Sequence, residues 1–121
     1  MFSQTFQTTL LLGLLSTTNA LNISNRQSGC PNVHVFGARE TTVSPGYGTA
    51  GVVVNLVLNS NPGSDAEAIV YPACGGQASC GGQSYAQSAL AGTAAVASAV
   101  NAYNARCPNT KLVLVGYSQV S

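Results

Sequence analysis

A serine that ends an apolar strand beside a small residue is a candidate nucleophile, and this chain carries one. Gly116-Tyr117-Ser118-Gln119 follows Lys111-Leu112-Val113-Leu114-Val115 without a gap. Small-x-Ser-x-small at a strand end is the pattern of a nucleophile elbow. The chain turns sharply from strand to helix, the serine takes a strained backbone conformation, and its hydroxyl is aimed outward. Small residues two places before and after the serine keep strand and helix from clashing. The chemistry this serves is acyl transfer, in which the hydroxyl attacks a carbonyl carbon. The main-chain N–H of the next residue, here Gln119, then points at the developing oxyanion. Gly116 meets the first half of the pattern, whereas Val120 stands where the second small residue belongs, ahead of Ser121.

Such a serine needs a base, because a free hydroxyl is weakly nucleophilic at neutral pH. The base is an imidazole oriented by a carboxylate, and after an elbow of this kind the order along the chain is Ser, acid, His. Only Gln119, Val120 and Ser121 follow Ser118. The single histidine, His34, lies upstream and reads as a strand residue sharing a face with Phe36. Asp65 and Glu67 read as turn and strand-edge residues. Arg39 and Glu40 read as a solvated or locally paired couple in a loop. The expectation is a chain that holds the nucleophile and lacks the acid and base.

The elements that must position Ser118 are legible in outline. Asn32–Gly37 is β-rich and ends at glycine, which predicts a first strand. Residues 38–47 are polar around Pro45-Gly46 and predict a loop. In Gly48–Asn59 the spacing of Val52, Val53, Leu56 and Val57 predicts a helix, stopped by Asn61-Pro62-Gly63. Glu67–Tyr71 predicts a second strand, closed by Pro72. Ser84–Arg106 predicts a long helix with Leu90, Ala94, Ala97 and Val100 or Asn101 at its period. Lys111–Gly116 is a run typical of a strand buried on both faces of a parallel sheet, and in the chain as given it is expected to face solvent on an unpaired edge. The order β-α-β-α-β predicts an open parallel sheet with right-handed crossovers.

Composition narrows the class. Four basic and three acidic residues make 6% of 121 residues, with a net charge of +1. That is too few cations to track a phosphate backbone, so nucleic acid is excluded as a partner. Residues 1–20 read as a targeting segment: Leu10–Leu15 is apolar but far too short to span a bilayer, and Thr18-Asn19-Ala20 supplies small residues for cleavage. No positively charged side chain precedes that core. Residues 21–29 read as a linker or pro-segment, with Asn22-Ile23-Ser24 a glycosylation sequon and Arg26 a guessed processing point. No membrane span is expected. Four cysteines in an exported chain imply two disulfides. Of three connectivities, the flexible run between Cys74 and Cys80 favours their pairing, which leaves Cys30 with Cys107. No histidine neighbours a cysteine pair, so no metal site is expected.

Several stretches resemble one family in the same order. Cys30-Pro31-Asn32-Val33-His34-Val35-Phe36-Gly37-Ala38-Arg39-Glu40-Thr41-Thr42 is similar to the opening of fungal acetylxylan esterases of the cutinase-like family, carbohydrate esterase family five. Pro45-Gly46-Tyr47-Gly48, Tyr71-Pro72-Ala73-Cys74-Gly75-Gly76-Gln77 and Val113–Gln119 extend the likeness across residues 30–119. It implies a three-layer α/β/α sandwich with a parallel sheet, of α/β-hydrolase type, and a serine esterase with a Ser-His-Asp triad and no cofactor. It implies Ser118 as nucleophile and the N–H groups of Thr41 and Gln119 as oxyanion donors, with help from the Thr41 hydroxyl. It also implies the pairs Cys30–Cys107 and Cys74–Cys80.

The expectation is therefore a secreted, monomeric ester hydrolase that deacetylates xylan in the plant cell wall. The family pattern has Gly-Gly where this chain has Val120-Ser121, so residues 30–121 are expected to be the N-terminal part of the domain, ending after the elbow and inactive by themselves. Cutinase action on cutin polyester is the alternative within the class. A non-catalytic polysaccharide-binding protein is the alternative outside it, and the absence of tryptophan speaks against it.

Overall fold

Val33–Ala38 (β1) has one neighbour on each side, and its alternating residues meet a different helix on each face. In the computed structural model, which describes residues 29–120, β1 is flanked by Asp65–Ala68 (β2) and Lys111–Gly116 (β3) in the order β2-β1-β3. Both pairings are parallel, with His34 opposite Asp65 and Leu112, and Ala38 opposite Gly116. Parallel neighbours require a crossover. Gly51–Ser60 (α1) links β1 to β2, and Tyr85–Arg106 (α2) links β2 to β3. The readings made for residues 1–28 and for Ser121 fall outside the described residues.

The layering can be read from side chains. His34 and Phe36 both touch Tyr103 of α2. A Cβ at Gly37, which points the other way, would meet Val54 of α1 at 2.9 Å. One helix thus covers each face of β1, giving the three-layer α/β/α arrangement. Val35, Phe36 and Val54 are wholly buried and form its centre.

Three sequence readings are corrected. The second strand begins at Asp65 rather than Glu67 and ends at Ala68 rather than Tyr71. Ile69 makes one more bond, its N–H donating to Gly37 O at 2.8 Å, and then β1 ends, so Val70 and Tyr71 have no ladder to join. Among the described residues Lys111–Gly116 pairs with β1 alone and Leu114 is exposed, the solvent-facing outer edge expected of this strand in the chain as given. In α1 the buried residue is Val54, while Val52, Val53 and Leu56 face outward. In α2 the packed stripe is Ser88, Gly92 and Tyr103, and Leu90 is 73% exposed.

Helix α2 starts where its local chemistry dictates. The Ser84 hydroxyl accepts from the Gln87 main-chain N–H at 3.1 Å, and the Gln87 side-chain Oε1 accepts from the Ser84 N–H at 3.1 Å. This reciprocal box satisfies two donors that a helix N-terminus leaves open. The close approach of α2 depends on Gly92, where a Cβ would lie 2.9 Å from the Tyr71 ring.

Candidate active site

In a parallel sheet of this kind, sites collect beyond the carboxyl ends of the strands. Ser118 lies just past β3 and Thr41 just past the neighbouring β1. Ser118 is exposed and has φ 64°, a left-handed conformation that an L side chain adopts only under strain. That is the backbone geometry an elbow requires. A short 3-10 turn, Ser118–Val120, follows it.

Gln119 is buried, and its side chain ties the elbow to three other segments. Its Nε2 donates to Thr41 Oγ1 at 3.2 Å and to the Cys74 carbonyl at 3.1 Å. Its Oε1 accepts from the Ser88 hydroxyl at 2.7 Å. Ser88, wholly buried on α2, accepts in turn from the Cys74 N–H at 2.8 Å. Thr41 and Gln119, the two residues expected to supply oxyanion donors, are therefore in direct contact.

The loop carrying Thr41 is held from several sides. Arg39 is buried: its Nε donates to Val43 O at 2.7 Å, its Nη2 donates to Pro72 O at 3.3 Å, and its guanidinium lies 5.3 Å from the Tyr71 ring centre. The Tyr71 hydroxyl donates back to Arg39 O at 2.6 Å. Burial pushes the Tyr71 phenol above its usual range, so it stays a donor at neutral pH. Glu40 accepts from the Thr49 N–H at 2.9 Å and from the Thr49 hydroxyl. Those bonds, the hydroxyl first, hold its carboxyl below the usual range. Arg39 and Glu40 thus serve separate partners instead of forming the loop couple expected of them. The Thr42 N–H donates to Ala73 O at 2.8 Å, which joins this loop to the segment leading into the disulfide loop.

Cys74 and Cys80 are bonded, with Cα atoms 5.6 Å apart. Cys30 and Cys107 each take part in a disulfide, and no described cysteine is free. Between the Thr41 loop and the disulfide loop lies an open hollow of about 370 Å³, lined by Thr42, Val43, Pro45, Pro72, Gln77 and Ser79 among others. Among the described residues no cluster of histidine, cysteine or carboxylate side chains could hold a metal, and no helix is long and apolar enough to cross a membrane.

His34 is at the other end of the strand. It pairs with Leu112, four residues before the Ala38–Gly116 level, which is about 13 Å along the sheet at 3.3 Å per residue. Its ring is buried, stacks on Tyr103 at 3.8 Å, and meets Phe36 edge-on at 4.7 Å. Nδ1 is 2.5 Å from Asp65 Oδ1 and Nε2 is 2.8 Å from Glu67 Oε2. Asp65 and Glu67, read as turn and strand-edge residues, both lie within β2 and are this ring's partners. The signal was present, since residues two apart on a strand share a face. Ser88 and Cys74 were missed as parts of the site, and nothing in their sequence setting marks them.

Comparison with known proteins agrees with this geometry. Residues 29–121 match the family profile described as Cutinase. The chain is 68% identical over 110 residues to "Cutinase 11" of Verticillium dahliae, covering 91% of this chain and 37% of that protein. It is 62% identical over 109 residues to "Acetylxylan esterase 2" of Talaromyces purpureogenus, covering 90% of this chain and 47% of that protein. Among solved structures, the catalytic core domain of acetyl xylan esterase from Trichoderma reesei superposes with a TM-score of 0.73 at 67% identity, over 74% of this chain and 44% of that one. The chain thus spans less than half the length of these relatives. A profile match across the described residues, joined to a strained serine at the end of a parallel strand, shows that this chain belongs to the cutinase family.

Proposed function

We propose that this chain is the nucleophile-bearing part of a secreted serine carboxylic-ester hydrolase that removes acetyl groups from xylan. The observation that carries this reading is Ser118 at φ 64° directly after β3, with Gln119 behind it bonded to Thr41. Ser118 Oγ attacks the acetyl carbonyl carbon, and the tetrahedral oxyanion is met by the N–H groups of Thr41 and Gln119 and by the Thr41 hydroxyl. The sugar alcohol leaves, and water then releases acetate from Ser118. No cofactor takes part.

The general base and its carboxylate lie outside these 121 residues in this proposal. His34 is the sole histidine, and its ring is committed to Asp65 and Glu67 at the far end of the strand. Residues 1–20 are proposed as the export signal and 21–29 as a linker, with the esterase domain starting at Cys30 and the product extracellular and monomeric.

The test is acetate release from acetylated xylan by the native secreted product that contains residues 30–120. Release that disappears in Ser118→Ala supports the reading. A product that cleaves long-chain acyl esters in preference to acetyl esters favours the cutinase alternative. The 121-residue chain alone is expected to release no acetate; release that depends on Ser118 would refute the placement of the base elsewhere.

A further inference from the structure

We propose that Ser88 is a positioning residue: through the Gln119 side chain it turns the Thr41 hydroxyl proton outward, toward the oxyanion. The inference rests on the esterase reading above and extends it to a helix that never reaches the substrate.

The argument is one of donor direction. The Cys74 N–H can only donate, so the Ser88 oxygen must accept from it. The Ser88 proton is then available for Gln119 Oε1, 2.7 Å away. A carboxamide oxygen facing Ser88 places Nε2 on the other side, against Thr41 Oγ1 and the Cys74 carbonyl. Thr41 Oγ1 is therefore an acceptor on its inner side. Its own proton has no acceptor among the described residues and points away from Gln119. With the amide reversed, Oε1 would take the Thr41 proton and the oxyanion site would lose a donor. The reversed amide would also set Oε1 against the Cys74 carbonyl. Ser88 and the two main-chain groups of Cys74 together fix a single polarity for the chain of bonds. Burial makes that polarity firm, since Ser88 is fully enclosed and no water competes.

The experiment uses methylboronic acid and the native secreted product that contains residues 30–120, and it needs no turnover. Boron bonds to Ser118 Oγ, the serine proton passes to solvent, and the tetrahedral adduct places a negatively charged oxygen where the substrate oxyanion would sit. Affinity is read by boron NMR. Thr41→Val should weaken the adduct about 100-fold, and Ser88→Ala about tenfold, the worth of one lost buried bond. In the Thr41→Val background, Ser88→Ala should change affinity less than about twofold, because the group it acts through is gone. Ser88→Thr, which keeps the hydroxyl, should restore most of the affinity. Additive losses, or a Ser88→Ala chain that binds as the wild type does, would overturn the inference alone. A wild type that binds no boronate removes the esterase reading and this inference with it. An independent reading on the unaltered chain guards against a variant that does not fold. Proton NMR cross-peaks from the Gln119 side-chain NH₂ to the Thr41 methyl support the proposed polarity, and cross-peaks to the Ser88 methylene instead refute it.

Discussion

The strain at Ser118 is open to direct measurement by comparing Ser118→Gly with Ser118→Ala. Both variants lack the hydroxyl, so whatever the serine side chain contributes cancels between them. They differ in what φ 64° costs. An alanine held in the left-handed region pays about 1–2 kcal/mol, and glycine pays almost none. Against this, glycine makes the unfolded chain freer, which favours alanine by about 0.4–1 kcal/mol. The net expectation is that Ser118→Gly is more stable than Ser118→Ala by about 0.5–1 kcal/mol. For a folded region of this size that is about 2–8 °C in Tm. The assay is urea unfolding followed by circular dichroism, with the midpoint shifting and the slope unchanged. If Ser118→Ala is as stable as Ser118→Gly, residue 118 is not held in the left-handed region in solution. The elbow geometry on which the nucleophile assignment rests would then fail.

Tyr71→Phe removes the donor to the buried Arg39 carbonyl while keeping the ring under the guanidinium; it should cost about 1–2 kcal/mol in unfolding free energy and weaken methylboronic acid binding, because Thr41 lies on the same loop. Glu40 has a folded pKa below its unfolded one, so its contribution is complete above the unfolded value and is lost as pH falls through the folded value. Replacing it with glutamine should flatten the acid limb of stability as pH falls below the ordinary glutamate range, and an unchanged limb in pH-dependent urea melts would refute this. Reducing Cys74–Cys80, six residues apart, should lower stability by about 2 kcal/mol on the loop-entropy argument. It should also weaken boronate binding, since Cys74 supplies two of the bonds that orient Ser88 and Gln119.

The turn after the last strand was more legible in the sequence than the packing. Gly116-Tyr117-Ser118-Gln119 after an apolar run marked the strand, the turn and the serine from local pattern alone, and the long helix read over Ser84–Arg106 runs from Tyr85 to Arg106. The faces were not legible. Leu90 suggested a buried stripe that is solvent-facing, because a helix lying close to a sheet buries its smallest side chains and Ser88 and Gly92 carry little hydropathic signal. The second strand was placed late for a related reason: Ile69-Val70-Tyr71 looks like a strand, but strands are set by their partners, and β1 ends first. Arg39 looked like a surface charge, yet its carbonyl acceptors come from segments 4 and 33 residues away, which no local pattern encodes.

The loop between Cys74 and Cys80 divides into a root and a tip. At the root, the main-chain N–H and carbonyl of Cys74 hold Ser88 and Gln119, so the register there is fixed by the elbow. At the tip, Ala78 and Ser79 are exposed, and Ser79 faces the hollow beside Thr42 and Pro45. The two ends can therefore be varied separately. The tip is a natural cassette for redesign: residues exchanged at 78 and 79 would reshape what rests in the hollow, while the crosslink insulates the Thr41–Gln119 contact from the exchange.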